Sequence, residues 1–386
     1  MTPGILDGLE LVEVSAFIAA PLAGLSLAQL GAEVIRVDQT GGGPDARRWP
    51  LGPGGESLYW QGLNKGKSSV HLDLRSPEGQ ARAAELIVQT GMVVTNRPDA
   101  GWLDYARLSE RRPDLIMLAI RGTHDGQGAV DYTVQARTGL PFLTGPARGD
   151  APVNQMLPAW DAVCGLLAAQ GLLAAERRRR ETGAGGLIRL SLEDCALWMM
   201  GNLGLLAEAE LNAAPREASG NDVYGAFGTD FATRDGRRVM VGVLTPRHWR
   251  SLLEVTGTAE AMGHLARAFG VDLATDEGRY AARAAIKLRL APWFQARDLA
   301  EIAAALDAHR VLWGPYQSVK ELVADDPACS LGNPMFTRPD HAGAGRYLTP
   351  GTPLDFGLAR DPARLRAPAQ GGDTDRILGR LAAALA

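Results

Sequence analysis

The sequence is poor in cysteine and lacks several motifs that define common enzyme classes. Three cysteines are spread over 386 residues without a CxxC pair, which excludes a disulfide framework. The six histidines form neither an HExxH pair nor a cluster with cysteine, so we expect no metal. The first predicted strand is not followed by GxGxxG, and neither Walker A nor GxSxG occurs. These absences argue against dinucleotide, P-loop and serine-hydrolase chemistry.

An excess of positive charge is also missing. Lys and Arg number 40 against 44 Asp and Glu, a formal net charge of −4, so we expect no nucleic-acid partner. Asp7, Glu10 and Glu13 come before the first cation, Arg36, whereas a secretory signal begins with basic residues. The most apolar stretches, 15–32 and 164–175, are interrupted by proline, glutamine or glycine, which disfavours a membrane span. We therefore expect a cytoplasmic protein without a membrane partner.

Strand and helix patterns alternate along the first 211 residues. The strand patterns cover residues 9–15, 33–38, 70–74, 92–95, 115–121 and 187–191. The helical patterns cover residues 21–30, 78–90, 103–111, 158–181 and 192–211. This alternation predicts a large α/β domain over residues 1–211 with a doubly wound, Rossmann-like parallel sheet. We expect residues 340–386 to pack back on it.

The pattern changes after residue 212. Two strand patterns joined by an Arg-Asp-Gly turn predict a β-hairpin over 227–243. Helical patterns follow at 246–255, 281–290 and 299–309, and a strand pattern at 311–318. We expect a second, smaller α+β domain over residues 220–335, since a chain of this length suits two or three domains.

Two features indicate a ligand site. Arg36, Arg75 and Arg97 stand at or just after the ends of predicted strands, where ligands bind in open α/β sheets. They could bind phosphate or pyrophosphate, and solvated surface arginines are the alternative. Asp161 lies in the first turn of a long apolar helix, where we expect the helix dipole to keep it ionised. The alternative is an ordinary acidic residue at a helix start.

Short segments in a fixed order resemble the class III CoA-transferases over most of the chain. They are residues 8–14, 20–21, 31–38, 64–74, 95–98 and 176–183, although Asp99 stands where the family has glycine. Asp161 aligns with the catalytic aspartate of the family. The resemblance implies an interlocked homodimer that acts on an acyl-CoA substrate. It also implies no cofactor other than the CoA that the substrate carries.

The resemblance implies which side chains bind the substrate. In the large domain, which would be the CoA-binding domain, the implied CoA-binding residues are Ile18, Arg36, Gln39, Leu72, Asp73, Leu74, Arg75, Asn96, Arg97 and Pro98. The implied residues around the acyl group are Phe17, Arg47, Tyr132, Tyr224 and Phe227. Arg48 and Tyr132 are alternatives to Arg47 for binding a carboxylate that does not react.

A second set of segments is similar to one branch of the family, whose members move CoA from the C1 to the C4 carboxyl of mesaconate (2-methylfumarate). These segments are residues 15–24, 62–67, 130–134, 139–146, 224–228, 333–336 and 350–356. The similarity implies intramolecular CoA transfer in which Asp161 forms an aspartyl anhydride and then an aspartyl-CoA thioester. Tyr224 and Phe227 stand where formyl-CoA transferases have a glycine-only loop. They would hold the diacid in the site.

Three other activities are alternatives within this family. Intermolecular transfer between an acyl-CoA and a small acid would use the same Asp161. A catalytically silent CoA-binding protein would be expected to lack that aspartate. Racemisation is disfavoured because Val130 stands where racemases of this fold have histidine, and valine cannot serve as the second acid or base.

Overall fold

Six parallel strands organise the N-terminal part of the chain in the computed structural model, which describes residues 4–146, 151–358 and 361–385. The strands are β1 (Glu10–Val14), β2 (Glu33–Gln39), β3 (Ser68–Leu72), β4 (Met92–Thr95), β5 (Ile116–Arg121) and β6 (Gly186–Ser191). The helices of this part are α1 (Ala19–Gln29), α2 (Leu58–Leu63), α3 (Pro77–Thr90), α4 (Tyr105–Arg111), α5 (Asp131–Arg137), α6 (Ala159–Thr182), α7 (Leu192–Asn202) and α8 (Leu205–Leu211).

The order of the strands identifies where a ligand would bind. Neighbouring strands pair in parallel in the order β3-β2-β1-β4-β5-β6, so the order reverses between β1 and β4. Open α/β sheets bind ligands at such a reversal, outside the carboxyl ends of the strands. The sheet confirms the predicted Rossmann-like α/β fold. Its topology places the expected ligand site at the loops after β1 and β4.

The chain divides into two compact units. The first contains Met1–Thr138, Gln155–Asn212 and Pro327–Ala386, and the second contains Gly139–Asn154 and Ala213–Asp326. The sequence analysis assigns residues 139–154 to the large domain, whereas they belong to the second unit. This segment closes on itself there, since the Val153 amide donates to the Pro141 carbonyl at 2.8 Å.

The second unit contains a three-stranded antiparallel sheet and six helices in its described residues. Its strands are β7 (Phe227–Ala232), β8 (Arg238–Val243) and β9 (Leu312–Pro315), paired in that order. Its helices are α9 (Pro246–Thr256), α10 (Ala259–Phe269), α11 (Asp276–Ala281), α12 (Arg283–Gln295), α13 (Leu299–Ala308) and α14 (Val319–Asp325). Aromatic side chains fill its core, and Phe231 stacks on Phe294 with ring centroids 4.1 Å apart.

The C-terminal segment packs in the first unit. It has four short strands, β10 (Phe336–Thr337), β11 (Asp340–His341), β12 (Gly345–Arg346) and β13 (Thr349–Pro350), and it ends in α15 (Thr374–Leu385). The Ser69 amide of β3 donates to the carboxylate of Asp373 at 3.0 Å. Ile377 and Leu381 of α15 are buried in the core that the sheet forms with α3. Burial of this apolar helix face holds the C-terminal segment against the sheet.

Several helices differ from the sequence expectation. The helix predicted over residues 192–211 is two helices, because Gly204 has φ of +81° and interrupts the helical backbone. Helices α2, α5, α10, α11 and α14 were not predicted, and all of them except α10 are only 6 or 7 residues long, too short to show a helical period. Among the residues that the structure describes, no helix is both long and apolar enough to cross a membrane.

Candidate active site

The loop after β1 is fixed at the point where the strand order reverses. The side chain of Asn96, just after β4, donates to the Ala16 carbonyl at 2.7 Å and accepts from the Ala16 amide at 3.1 Å. The next residue, Phe17, is 39% exposed and has φ of +67°. A left-handed backbone costs a residue with a Cβ roughly 1–2 kcal/mol. The loop is therefore held in a conformation that it would not adopt by itself.

Three of the predicted CoA-binding side chains meet at the ends of β2 and β3. The Gln39 amide donates to the Asp73 carboxylate at 2.8 Å, and the Arg75 guanidinium donates to the same oxygen at 3.2 Å. These hydrogen bonds hold the pKa of Asp73 below its usual value. The Arg75 side chain is 81% exposed, so its charge is accessible to a polyanion at the carboxyl edge of the sheet.

The other predicted CoA-binding residues differ in what they offer a ligand. The Arg97 and Pro98 side chains are exposed just after β4, and Ile18 is partly buried after β1. Leu72 and Leu74 point into the core between the sheet and its helices, at 5% and 6% exposure. Only their backbone groups could contact CoA.

The prediction that Arg36 binds CoA is wrong. Its guanidinium is fully buried and donates to Asp38 at 2.8 Å, to Asp45 at 3.0 Å and to Glu13 at 3.2 Å. Although burial opposes its charge, these carboxylates hold the pKa of Arg36 above its usual value. A buried charge of this kind needs partners inside the protein, and Arg36 has them without a phosphate. It is part of an internal ion network that joins the ends of β1 and β2.

The backbone of the Asp161 turn is capped by another carboxylate. Helix α6 begins at Ala159 after Pro158, whose side chain provides no cap. The carboxylate of Asp131, at the start of α5, accepts the backbone amides of Trp160 at 2.8 Å and Asp161 at 3.0 Å. Asp131 is 2% exposed. It therefore takes the place of the missing N-cap side chain and fixes the first turn of α6 against α5.

The expectation that Asp161 stays firmly ionised is wrong. Burial and, second, the negative charge of Asp131 raise the pKa of Asp161 to about 7, although Arg48 lowers it in part. The start of the helix does not offset these effects, because the amides of Trp160 and Asp161 donate to the Asp131 carboxylate and not to that of Asp161. A half-buried carboxylate with a pKa near neutrality is more nucleophilic when ionised than an ordinary aspartate, and it marks a candidate functional site.

Arg48 and Tyr59 complete this part of the site. The Arg48 guanidinium carbon lies 5.5 Å from the ring centroid of Phe17 and 5.3 Å from that of Tyr59. The Tyr59 hydroxyl is buried and has no hydrogen-bond partner in the described part of the chain. Burial raises the pKa of Tyr59, and Asp161 and Asp45 raise it further, so its hydroxyl remains a donor at neutral pH. A guanidinium and a phenol next to a carboxylate can bind the oxygens of an acid or of an acyl group.

A glycine one turn after Asp161 allows α6 to approach α1 closely. A Cβ at Gly165 would lie 2.6 Å from the Ala19 carbonyl oxygen and 3.0 Å from Leu22 Cβ. Because α1 directly follows the Phe17 loop, this contact sets the distance between that loop and the first turn of α6.

The remaining predicted substrate-binding residues are divided between the two units. Arg47 and Tyr132 are exposed in the first unit. Tyr224 belongs to the second unit, 43% exposed, where the Arg216 guanidinium lies 3.5 Å from its ring centroid. Phe227 was expected at the mouth of the site, but it is fully buried in the core of the second unit against Trp249. A side chain that fills this core cannot serve as a lid.

The roles of three residues of the site were not predicted from the sequence. Tyr59, Asp45 and the capping role of Asp131 carry no motif of their own, since each acts through a partner distant in the sequence. Asp131 was part of the segment 130–134 that resembles the family branch, but nothing in that segment indicates that its carboxylate caps α6.

Comparisons with known proteins identify the family of the chain. A sequence model described as CoA-transferase family III matches residues 6–374. A 2-methylfumaryl-CoA isomerase of Chloroflexus aurantiacus is 49% identical over 381 residues, which cover 97% of this chain and 93% of that protein. A succinyl-CoA–D-citramalate CoA-transferase of the same organism is 29% identical over 84% of this chain and 81% of its own length. The crystal structure of a CAIB/BAIF family protein from Brucella suis superimposes with a TM-score of 0.80 at 25% identity, covering 98% of this chain and all of that one. The resemblance drawn from the sequence is thereby confirmed, and the chain belongs to CoA-transferase family III.

Proposed function

We propose that this protein moves CoA from the C1 to the C4 carboxyl of mesaconate within one molecule, with Asp161 as the nucleophile. The observation that carries the proposal is its 49% identity, over 97% of the chain, to a 2-methylfumaryl-CoA isomerase. The half-buried Asp161 carboxylate beside Arg48 and Tyr59 supports the same chemistry. No separate cofactor is needed, because CoA enters as part of the substrate.

The proposed reaction is a sequence of four acyl transfers. The Asp161 carboxylate attacks the C1 thioester carbonyl, and the C–S bond breaks to give a mixed anhydride and CoA thiolate. The thiolate attacks the aspartyl carbonyl of the anhydride, which frees mesaconate and leaves CoA on Asp161 as a thioester. The C4 carboxylate then attacks this thioester and expels the thiolate. Attack of the thiolate on the C4 carbonyl finally regenerates the Asp161 carboxylate.

The groups around Asp161 have separate roles in this scheme. Arg48 binds the carboxylate that is not reacting, a role that the sequence analysis gave first to Arg47. Arg48 is the better candidate because it stacks between Phe17 and Tyr59 and acts electrostatically on Asp161. The Tyr59 hydroxyl donates to the oxygen of the acyl group under attack. Holding the free diacid next to the aspartyl thioester replaces a bimolecular encounter, which can lower the barrier by several kcal/mol.

CoA would lie along the carboxyl edge of the sheet. Arg75 and Arg97 would bind its phosphates, and the Gln39 and Asp73 side chains would bind polar groups of the nucleotide. Tyr224 as a group that retains the diacid stays a prediction, as does a cytoplasmic location.

We also propose that the protein is a homodimer. Apolar side chains of α7, of α8 and of the turn between them are exposed in the first unit, including Trp198 at 52%, Leu203 at 69% and Leu211 at 81%. Exposed large apolar side chains on neighbouring elements are typical of a surface that another chain covers. Light scattering at micromolar concentration is expected to give a mass near 82 kDa, twice the chain mass of 41.0 kDa, and a monomeric mass would contradict the proposal.

An incubation with one substrate tests the proposed activity. Purified protein and mesaconyl-C1-CoA, without any added acid, are expected to give mesaconyl-C4-CoA on chromatography of the CoA esters. Asp161→Asn, which is nearly isosteric and cannot form the anhydride, is expected to give none while remaining folded. Conversion by Asp161→Asn at the wild-type rate would contradict the role of Asp161, and no conversion by the wild type would contradict the function itself.

Intermolecular CoA transfer is the second candidate. The 29% identical relative named as a succinyl-CoA–D-citramalate CoA-transferase favours it. It would use the same nucleophile and would need a free acid as acceptor, so the origin of the acid in the product distinguishes the two functions.

A further inference from the structure

The loop between β2 and α2 is joined to the Phe17 loop by one buried side chain, Asp45. Its carboxylate oxygen Oδ2 accepts the backbone amide of Phe17 at 3.2 Å. Asp45 is 1% exposed, so it cannot touch a substrate directly. The hydrogen bond spans two loops that are 28 residues apart in the sequence, and it ends on a residue with a left-handed backbone.

The Asp45 carboxylate is itself fixed by a buried cation. Both of its oxygens accept from Nη2 of Arg36, at 3.1 and 3.0 Å. Arg36 is held in turn by Asp38, Glu13 and the Asn64 carbonyl oxygen. The acceptor for the Phe17 amide therefore belongs to a network that cannot shift without breaking several buried hydrogen bonds.

The backbone of Asp45 also helps to position Arg48. Its carbonyl accepts the Arg48 amide at 3.1 Å, which closes a tight turn between the two residues. The Arg48 guanidinium then lies over the Phe17 ring, 5.5 Å from its centroid. Asp45 thus accepts a hydrogen bond from each of the two residues that stack, Phe17 and Arg48.

We propose that Asp45 is a positioning residue of the active site: held by Arg36, it keeps Phe17 in its left-handed conformation and so keeps Arg48 in place to bind the free carboxylate of the diacid. The inference rests on the proposed function, because it assigns a purpose to the position of Arg48. Asp45 acts through Phe17 and Arg48 and takes no part in the bond changes.

Asp38 provides a matched control for Asp45. It is equally buried, at 3%, and its carboxylate accepts two hydrogen bonds from Arg36, at 2.8 and 3.0 Å. In the described part of the chain, the Asp38 carboxylate accepts hydrogen bonds from Arg36 alone. The Asp45 carboxylate also accepts the Phe17 amide. Removing either carboxylate weakens the ion network, but only removal of Asp45 frees Phe17.

Two measurements on Asp45→Ala, Asp45→Asn and Asp38→Asn test the inference. Hydrogen exchange of a peptide covering residues 16–18 is expected to accelerate about tenfold in Asp45→Ala, less in Asp45→Asn, whose amide oxygen can still accept, and little in Asp38→Asn. The KM for mesaconyl-C1-CoA is expected to rise about tenfold or more in Asp45→Ala, with a smaller change in kcat and with partial rescue in Asp45→Asn. Asp38→Asn is expected to lower the melting temperature without this rise in KM.

The results that would contradict the inference differ from the result that would contradict the proposed function. Exchange at residues 16–18 that is equal in Asp45→Ala and Asp38→Asn would overturn the inference, as would faster exchange with an unchanged KM. A wild-type protein that converts no mesaconyl-C1-CoA would contradict the proposed function, and the exchange comparison would still decide whether Asp45 holds the Phe17 amide.

Discussion

The carboxylate of Asp131 accepts the backbone amide of Asp161 at 3.0 Å, so the residue that fixes the proposed nucleophile in place also adds to the rise in pKa that burial causes. The cap satisfies amides that a helix start would otherwise leave unpaired. The same negative charge, near a half-buried carboxyl, makes ionisation of Asp161 harder. Asp131 thus fixes the position of Asp161 and, after burial, is the second cause of its raised pKa.

Asp131→Asn is expected to separate these two effects. The amide oxygen of asparagine can still cap α6, so the melting temperature should change little. Loss of the negative charge should lower the pKa of Asp161 from about 7, and the ionised nucleophile should then persist to lower pH. The acidic limb of a kcat/KM profile for CoA transfer should move down by roughly one pH unit. A limb that stays in place, or moves to higher pH, would show that Asp131 does not control the ionisation of Asp161.

Gly165→Ala is expected to damage the site although it replaces no polar side chain. The added methyl would lie 2.6 Å from the Ala19 carbonyl oxygen and would force α6 away from α1, at a cost of about 1–3 kcal/mol. The unfolding midpoint and the CoA-transfer rate should both fall. Gly379→Ala in α15 is the control, because nothing lies within 4 Å of its added methyl and alanine favours a helix. Equal midpoints for the two variants would contradict the close approach of α6 to α1.

The parallel sheet was predictable because its strands are short apolar runs separated by helical patterns. The hairpin around Gly236 was predictable for a similar local reason, the turn residues between two strand patterns. The break at Gly204 was not, since a single glycine in an apolar helical pattern is compatible with one helix or two. Local sequence patterns therefore predicted those strands, helices and turns whose structure depends on local interactions.

The site was predictable only in part. Asp161 was singled out by its place at a helix start and by the family resemblance, Arg75 by its place after a strand, and Gln39 by the resemblance alone. Arg36 and Phe227 were assigned wrongly, because a charged or aromatic residue next to a loop gives no sign that the fold will bury it. Exposure of these side chains depends on contacts between distant segments, which a single sequence does not reveal.

Arg75→Ala and Arg97→Ala are expected to weaken CoA binding. Their side chains are exposed at the carboxyl edge of the sheet, where a contact with phosphate would be electrostatic and screened by salt. The loss of affinity in a calorimetric titration should therefore be larger at 20 mM than at 500 mM salt, on the order of fivefold at the lower concentration.

Arg177→Ala is the matched control for Arg75→Ala. Its side chain is 82% exposed and paired with Glu181, much as Arg75 is 81% exposed and paired with Asp73. It lies near the C-terminal end of α6, far along the helix from Asp161. If all three variants bind CoA as the wild type does, the arginines at the strand ends are solvated surface groups and CoA lies elsewhere.

The origin of the acid in the product shows whether CoA moves within one molecule. Wild-type protein is incubated with unlabelled mesaconyl-C1-CoA and an excess of ¹³C-labelled free mesaconate, and the C4 ester is analysed by mass spectrometry. If the diacid stays in the site while CoA rests on Asp161, the mesaconyl-C4-CoA will carry almost no label. Label in the C4 ester in proportion to the free mesaconate supplied would contradict intramolecular transfer and would identify an intermolecular CoA-transferase.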